Sequence, residues 1–349
     1  MSKKRAIIYA DRFFNCADGK TAHGLIRHSK RFEVACIVDT TIAEGDAGEI
    51  LDGVKRNISL YNDLNKAYGK SDADTFIVGA VSEGGILPEG YDKAVIWALE
   101  KGLDVVSGLH QFLSEDKIFV QLAKKNDCKI TDVRKIFRDH KRFYTGDIKN
   151  VKSKRIAILG TDSAIGKRTI AVILNESLKK QGWKSDMIYT GQTGWMQGWP
   201  HGVVLDAMIN DFVAGGIEGA IIDSWKDEKP DFMLLEGQGS LVHPFFPGGF
   251  EILTAGKVDG FILVDAPGRK HLDGFPEYPM PDPKKVIKIA QLLTDKPLLG
   301  IGINRENLDK KNLLKVKNNF RKQFRVPVVE PLLDDASEIV NYLEKLNEK

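Results

Sequence analysis

Short apolar runs alternate with segments of helical periodicity over the first 130 residues of the chain. The apolar runs have the length of strands and occur at Ala6–Ala10, Glu33–Asp39, Thr75–Gly79 and Asp104–Ser107. The helical segments are Thr21–His28, Tyr91–Lys101 and Asp116–Lys125. Continuous apolar strands separated by helices of about ten residues are typical of a parallel sheet that is covered on both faces. The pattern predicts a Rossmann-like domain.

A second series of the same kind begins at Arg155. The run Ile156–Leu159 predicts a buried strand, and a glycine loop and a helix follow it. Apolar residues of that helix fall on one face at Ile170, Ile173, Leu174 and Leu178. Further strand-like runs are Asp231–Leu235, Gly260–Val264 and Leu298–Ile303. This part of the chain is therefore predicted to form a second parallel-sheet domain.

A charged stretch between Lys129 and Lys154 separates the two series and ends in HKRFYTGDIKNVKSKR. Its lysines and arginines are interpreted as a solvated linker face rather than as a phosphate-binding patch. We place the domain boundary inside this stretch, near residue 148. The predicted domains are residues 1–147 and 148–349.

The composition restricts the kinds of molecule that the protein is expected to bind. The chain has 349 residues, a length that suits two domains, and 42% hydrophobic with 28% charged residues is a globular mix. Lys and Arg number 51 against 48 Asp and Glu, a net charge of +3 that is too balanced for a dedicated nucleic-acid binder. The segment Lys310–Arg325 has no acid, but apolar residues interrupt it. It is predicted to be a surface helix.

Cysteine usage and hydropathy bear on the compartment. Cys16, Cys36 and Cys128 are odd in number, widely spaced and lack a CxxC pattern, so neither a disulfide framework nor a zinc site is predicted. The run Ala6–Ala10 stops at Asp11 and is too short for a signal peptide. No stretch reaches the roughly 18 apolar residues of a membrane helix. We expect a cytoplasmic protein without a membrane partner.

The strongest chemical signal lies between the strand Ile156–Leu159 and the helix after it. The loop consists of Gly160, Thr161, Asp162, Ser163, Ala164, Ile165, Gly166, Lys167, Arg168 and Thr169. Backbone N–H groups of such a loop and the helix N-terminus hold a phosphate, and Lys167 adds a full charge. A chance glycine turn is the alternative. We predict a cofactor-binding phosphate loop, so the fold class is α/β, a Rossmann-like domain followed by a P-loop NTPase-like domain.

Two departures from the common phosphate-loop pattern GxxxxGK[ST] change the expected chemistry. Five residues separate Gly160 from Gly166, where the common pattern has four. Arg168 occupies the position whose hydroxyl normally binds Mg²⁺, and Thr169 comes one residue late. Arg168 adds a second cation that could form a bidentate pair with a phosphate. Phosphate binding is therefore expected, no metal site is predicted, and hydrolysis of ATP·Mg is doubtful.

A second polar cluster, EGQGSLVHP, directly follows the strand Asp231–Leu235. Ligands of open parallel sheets bind beyond the carboxyl ends of the strands, so Glu236 should face the crevice of the phosphate loop. Glu236 and His243 are the candidate catalytic residues because either could take a proton from a nucleophile. The alternative for Glu236 is an acid that caps a glycine turn. The alternative for His243 is a structural histidine held by Pro244.

Four further residues are candidates for substrate binding. Asp265 ends the next strand, and Arg269, four residues later, could pair with a substrate carboxylate. Gln192 and Thr193, in a glycine cluster after a short strand, would offer uncharged hydrogen bonds. A lone arginine in a loop is more often solvated.

Two weaker patterns are interpreted as structural. Gly19-Lys20-Thr21 looks like the end of a phosphate loop, but its leading glycine is missing, so we predict a helix start with Asp18 as the N-cap. Asp206 and Asp211 are expected in one helix without sharing a face, which argues against a carboxylate pair.

Taken together, GTDSAIGKRT, TGQTGWM, DAMINDFVAGGIE and EGQGSLVHP resemble a P-loop family long known only as a domain of unknown function. Its characterised members are D-glutamate N-acetyltransferases. The resemblance covers essentially the whole chain, with a Rossmann-like N-terminal and a P-loop C-terminal domain. The longer phosphate loop also resembles that of dethiobiotin synthetase and its relatives. The combination of four ordered motifs is specific for the family and much less specific for the substrate.

The resemblance implies acetyl transfer from acetyl-CoA to the amino group of D-glutamate or a similar amino acid. Coenzyme A carries a pyrophosphate and a 3′-phosphate, which a loop with Lys167 and Arg168 could hold without cleaving anything. Small-molecule substrates are the expected partners, and a homo-oligomer is possible. Two alternatives stay open: a carboxylate ligase of the dethiobiotin synthetase type, with ATP and Mg²⁺ as cofactors, and a non-catalytic nucleotide-binding protein.

Overall fold

The computed structural model describes residues 3–347, which fold into two units. The first unit contains the described residues up to His140 together with Gly191–Trp199 and Asp206–Met208. The second unit contains Lys141–Thr190, Pro200–Leu205 and the described residues from Ile209 onward. The chain thus returns to the first unit after it has entered the second. The predicted boundary at residues 147 and 148 stays a prediction.

The first unit is built on a sheet whose neighbouring strands are mostly parallel. Its elements up to His140 are β1 (Lys4–Tyr9), α1 (Lys20–Arg27), β2 (Phe32–Val38), β3 (Gly45–Asp46), α2 (Ala47–Asp52), β4 (Ser59–Tyr61), α3 (Leu64–Ser71), β5 (Thr75–Val78), α4 (Tyr91–Glu100), β6 (Asp104–Ser107), α5 (Lys117–Lys125), β7 (Ile130–Asp132) and α6 (Val133–Arg138). The strand order is β3-β4-β2-β1-β5-β6-β7, and among the described pairs of this sheet only β3–β4 is antiparallel. The Rossmann-like prediction is confirmed.

One detail of this unit differs from the prediction. The helix α1 begins at Lys20. Its N-cap residue is Gly19, which has no side chain to accept a hydrogen bond from the first turn of the helix. Asp18 lies in a short 3₁₀ turn, Ala17–Gly19, and caps nothing. The prediction that Asp18 is the N-cap is wrong because the turn takes up the residues before the helix.

The rest of the chain begins a second sheet. Its elements are β8 (Lys154–Gly160), α7 (Lys167–Lys180), β9 (Ser185–Ile188), α8 (Gln192–Gln197), α9 (Asn210–Asp227), β10 (Phe232–Glu236), α10 (Phe250–Ala255), β11 (Gly260–Asp265), β12 (His271–Leu272), β13 (Phe275–Pro279), α11 (Pro283–Thr294), β14 (Leu298–Ile303), α12 (Lys310–Phe324), β15 (Val328–Val329) and α13 (Ser337–Asn347). Of these, α8 lies in the first unit. The sheet order is β15-β14-β11-β8-β10-β9, and every described pair is parallel.

This topology decides where polar residues meet. β8 lies in the middle of the sheet, between β10 and β11. Because all three strands run in the same direction, their carboxyl ends share one edge, where Gly160 pairs in register with Val264 and Ile158 with Glu236. The phosphate loop therefore begins at the same edge of the sheet as the segments that follow β10 and β11.

Two other predictions for this part of the chain have different outcomes. The basic segment forms α12, whose first turn is capped by the Asp309 carboxylate, and most of its side chains are exposed, so the surface helix is confirmed. Asp206 lies in a 3₁₀ turn and Asp211 in α9, so the prediction of a single helix for both is wrong. All three cysteines are free, as expected. Within the described residues, no helix is both long enough and apolar enough to cross a bilayer.

Candidate functional site

The loop between β8 and α7 has a backbone that only certain residues permit. Gly166, directly before the helix, has φ +99°, a left-handed conformation that favours glycine. Gly160 has a different reason: a Cβ there would lie 2.9 Å from Ile165 Cδ1 and 3.1 Å from Lys167 Nζ. Ala164 also has a positive φ, +49°. The loop is thus a tight turn that delivers the N-terminus of α7 to the sheet edge.

Lys167 folds back over this loop. Its side-chain Nζ donates a hydrogen bond to the backbone carbonyl of Asp162 at 2.7 Å, and the residue is only 8% exposed. A full positive charge is therefore held above the turn, beside the N-terminus of α7, where the helix dipole also favours an anion.

Arg168 and Glu236 form an ion pair at the same edge of the sheet. Arg168 Nε donates to Glu236 Oε1 at 2.7 Å, and the glutamate is 2% exposed. The other carboxylate oxygen, Oε2, accepts the backbone N–H of Thr190 at 3.1 Å. The Thr190 hydroxyl donates to the Glu236 carbonyl at 2.8 Å. The carboxylate is thus fixed from two sides.

Thr190 has no role in the sequence prediction, although it lies in one of the glycine clusters noted there. It follows β9 at the sheet edge that also carries Glu236, and the signal that could have identified it is its place after a strand. Gln238 Nε2 donates to its hydroxyl at 3.1 Å, so Thr190 joins the loop after β10 to the end of β9.

Asp162 joins the phosphate loop to the segment after β11. Its fully buried carboxylate accepts Arg269 Nη1 at 2.9 Å and the backbone N–H of Asp273 at 3.0 Å, both at Oδ2. Its Oδ1 accepts the N–H of Ser163 at 2.6 Å. Asp162 therefore holds the loop from within.

Arg269 differs from its predicted role as the partner of a substrate carboxylate. Its side chain is 7% exposed and pairs with Asp162 and, through Nη2 at 2.7 Å, with Glu306. It also donates to the backbone carbonyls of Ser163 and Ala164. The guanidinium is engaged by the protein itself, because the loop brings carbonyl and carboxylate oxygens to it from two sides.

His243 is a buried residue of the loop that follows β10. Its Nδ1 accepts the backbone N–H groups of Phe245 at 3.1 Å and Phe246 at 2.9 Å. Its Nε2 lies 3.3 Å from Asp162 Oδ1, a close electrostatic contact without the geometry of a hydrogen bond. Burial lowers the pKa of His243, against the opposing effect of Asp162. A neutral ring with its proton on Nε2 satisfies these contacts.

Asp265 lies under the phosphate loop at the end of β11. The hydroxyl of Thr161 donates to its Oδ1 at 2.6 Å, and the carboxyl is 3% exposed. Burial raises the pKa of Asp265 to about 6, in spite of the hydrogen bond from Thr161. The structure thus brings Asp265 to the loop, in contact with its Thr161 rather than open to solvent.

Gln192 and Thr193 are not among these second-unit residues. Both belong to α8 in the first unit, where Thr193 Oγ1 lies 3.3 Å from Thr21 Oγ1. The side chain of Gln192 packs closely on Gly108, where a Cβ would come within 2.7 Å of Gln192 Cγ. The structure gives both residues contacts within the first unit.

Several aromatic rings contact His243, and its sequence neighbours line a cavity. The rings of Phe245 and Phe275 stack with centroids 3.7 Å apart, and Tyr278 meets Phe245 edge-on. A cavity of about 290 Å³ lies in this region, lined by Val242, Pro244, Leu272, Tyr278, Pro279, Met280, Pro281, Asp282 and Lys285. The second unit thus has a mostly apolar recess in the segments that follow β10 and β11.

Two family models match the chain. Residues 142–340 match the P-loop domain of DUF1611, described as a domain of unknown function. Residues 40–136 match DUF1611_N, a Rossmann-like domain of unknown function. These matches confirm the order of the two predicted domain types.

Curated relatives and a solved structure are similar over most of the chain. A protein from Tritonibacter scottomollicae, named D-glutamate N-acetyltransferase, is 29% identical over 84% of this chain and 88% of its own. One with the same name from a Pseudoalteromonas species is 31% identical over 78% of this chain and 81% of its own. The crystal structure of a DUF1611 family protein from Anabaena variabilis has a TM-score of 0.89 and 26% identity, and covers 98% of this chain and 100% of that chain.

Proposed function

This chain belongs to the DUF1611 family, and we propose that it is an N-acetyltransferase. Its proposed reaction moves the acetyl group of acetyl-CoA to the amino group of D-glutamate or a similar amino acid. One observation carries the proposal: two relatives named D-glutamate N-acetyltransferase align with about four fifths of this chain and of their own lengths. The phosphate loop supplies the physical support.

The phosphates of coenzyme A fit the charges of the loop. Lys167 and Arg168 supply two cations at the N-terminus of α7, where helix N–H groups also favour an anion. Charge-assisted hydrogen bonds of this kind are about twice as strong as neutral ones. The loop needs no hydrolysis to use them, since acetyl transfer breaks no phosphate bond. We assign Lys167 and Arg168 to the cofactor phosphates.

Glu236 is the residue we assign to the proton of the attacking amine. An ammonium cannot attack a thioester until it has lost a proton. Each oxygen of Glu236 accepts one hydrogen bond, from Arg168 or from Thr190, and a carboxylate has about four acceptor positions in all. Glu236 can therefore hold Arg168 and still accept a donor from the substrate.

His243 suits this task less well. Its Nδ1 already accepts two backbone N–H groups, and its Nε2 faces Asp162 in the protein interior. To accept a proton at Nδ1, the ring would have to break both hydrogen bonds. We assign His243 to the support of the loop after β10 and not to proton transfer.

The reaction balances with these groups and one proton released to solvent. The amine nitrogen forms a bond to the acetyl carbon, the carbon–sulfur bond breaks, and the electron pair of that bond leaves with the thiolate of coenzyme A. The ammonium proton passes to Glu236 and from there to the thiolate, and the second proton, which the nitrogen loses once the amide bond has formed, is released to solvent. A well-placed general base of this kind accelerates a reaction by about 10²–10⁴-fold.

A turnover assay tests the proposal. The full chain is mixed with acetyl-CoA and D-glutamate, or with L-glutamate as the matched control, in the absence of ATP, and the product is followed by mass spectrometry. Mass detection is preferable to thiol detection because the exposed Cys16 would add background. We expect N-acetylated amino acid without ATP. No product with any amino acid, together with phosphate release from ATP that depends on a carboxylic acid, would favour the ligase alternative.

A further inference from the structure

Common phosphate loops bind a metal ion through two positions, and in this chain the residues at those positions, Arg168 and Glu236, form an ion pair with each other. The residue after the loop lysine is usually Ser or Thr, whose hydroxyl binds Mg²⁺, and a carboxylate from another strand supports the same ion. Here Arg168 follows Lys167, and Glu236 ends the neighbouring strand β10. The Nε of Arg168 lies 2.7 Å from Glu236 Oε1. The Arg168 guanidinium thus pairs with the Glu236 carboxylate, which would otherwise support the metal ion.

Mg²⁺ does not fit this arrangement. It requires near-octahedral oxygen ligands at about 2.0–2.1 Å. The hydroxyl is missing at position 168, and Thr169 points about 100° away around the helix. Glu236 Oε1 is already paired with the Arg168 guanidinium, so a cation occupies the side of the carboxylate that faces position 168. A divalent ion at this position would also be repelled by the Arg168 guanidinium, a charge that common phosphate loops do not have there.

We infer that Arg168, positioned by Glu236, replaces the Mg²⁺ of a common phosphate loop and makes phosphate binding independent of metal. This inference rests on the proposed use of the loop for the phosphates of coenzyme A. The Arg168 side chain is 21% exposed while Glu236 is buried, so the guanidinium bridges the interior and the ligand side. Nε is engaged by Glu236, and the two Nη groups supply the planar fork that matches a phosphate.

Arg168 is therefore the residue that determines whether phosphate binding requires a metal ion. The substitution Arg168→Thr restores a hydroxyl at the Mg²⁺ position and releases the Glu236 carboxylate. The loop of that variant then has the common metal-binding pair. We expect Arg168→Thr to convert a metal-independent loop into one that needs Mg²⁺.

Calorimetric titration of the full chain with coenzyme A, and separately with ADP, tests this in EDTA and in Mg²⁺. For the wild-type protein we expect dissociation constants that agree within about twofold between the two conditions. For Arg168→Thr we expect affinity to fall at least about tenfold in EDTA, the loss typical of a charged hydrogen bond, and to recover in Mg²⁺. Arg321→Thr is the matched control, because it removes another arginine–carboxylate pair of the second unit, with Glu338. Its affinity should stay within twofold of wild type.

Binding of Mn²⁺, followed by electron paramagnetic resonance in the presence of ADP, gives a second readout that does not depend on activity. Arg168→Thr should bind Mn²⁺ and the wild-type protein should not. A wild-type affinity that rises tenfold with Mg²⁺ overturns the inference, as does a folded Arg168→Thr protein that binds as tightly as wild type or gains nothing from Mg²⁺. If wild-type protein binds neither ligand, the phosphate site itself fails, and the proposed function fails with it. If binding behaves as expected but no acetyl transfer occurs, only the proposed function is wrong.

Discussion

Arg269 Nη1 lies 2.9 Å from Asp162 Oδ2, although 107 residues separate the two in the chain. The carboxylate is fully buried and the arginine side chain is 7% exposed. Through this pair the segment after β11 holds the phosphate loop in its folded form. The loop therefore depends on a contact outside the motif that identifies it.

Removing one partner of this pair should loosen the loop and destabilise the second unit. Asp162→Asn leaves the Arg269 charge buried without its full partner, and breaking a buried pair in this way costs about 3–5 kcal/mol. We expect a lower thermal midpoint and faster hydrogen exchange at residues 160–169. Glu338→Gln is the control, since its pair with Arg321 is exposed and should contribute about 1 kcal/mol or less. Equal effects of the two substitutions would contradict the role given to Asp162.

Stability should depend on pH through His201. Its Nδ1 lies 2.7 Å from Asp186 Oδ2 and its Nε2 lies 3.0 Å from Asp227 Oδ2. Burial lowers the pKa of His201, but the bonds to the two carboxylates outweigh burial and raise it to about 9. A raised histidine pKa adds stability that is fully present below about pH 6.5 and is lost as the pH rises through about 9.

The measurement is thermal unfolding from pH 6 to pH 10 for the wild-type protein and for His201→Gln. The wild-type advantage over the variant should shrink by about 2 kcal/mol across this range, less than the full value for the raised pKa because solvent screens the pair with the exposed Asp227. A constant difference between the two proteins would show that His201 is not charged in the folded state.

Asp265 should give a dependence in a different pH window. Burial raises the pKa of its carboxyl to about 6, above the usual 3.8. The favourable contribution of the protonated form is therefore present below about pH 4 and lost as the pH rises through about 6. Asp265→Asn, which keeps an acceptor for the Thr161 hydroxyl, should gain stability relative to wild type between pH 4 and pH 7. A flat difference in thermal midpoint over that range would contradict the buried, protonated carboxyl.

The two candidate catalytic residues should respond differently to substitution. Glu236→Gln removes the proton acceptor, so kcat for acetyl transfer should fall by about 10²–10⁴-fold. His243→Asn keeps a side-chain acceptor for the two backbone N–H groups, so kcat should fall by less than about tenfold. Steady-state kinetics with acetyl-CoA and D-glutamate measure both. If His243→Asn shows the larger loss, proton transfer belongs to His243.

The fold and the loop could be predicted from the sequence because their signals are local. Apolar runs of strand length, such as Ile156–Leu159, need no distant partner to be recognised, and the strand, glycine turn and Lys167 lie within a few residues of one another. The very short strands β3 and β4 gave no such signal, since two or three residues show no periodicity.

The partners of the charged side chains could not be predicted. Arg168 and Glu236 are 68 residues apart, and nothing local indicates that their charges meet. Arg269 was predicted to pair with a substrate carboxylate. The sequence alone does not reveal that the phosphate loop lies against its guanidinium. The segment with Gln192 and Thr193 follows a strand of the second sheet, but it folds with the first unit.

The claim that supports the whole account is that the loop between β8 and α7 binds the phosphates of coenzyme A. Calorimetric titration of acetyl-CoA into the wild-type chain and into Lys167→Ala, both in EDTA, tests it most directly. We predict saturable binding of one molecule per chain to the wild-type protein, and an affinity at least about tenfold lower for Lys167→Ala, since that variant loses the charge over the loop. The absence of binding heat in the wild-type protein, or equal affinities for the two proteins, would contradict the claim.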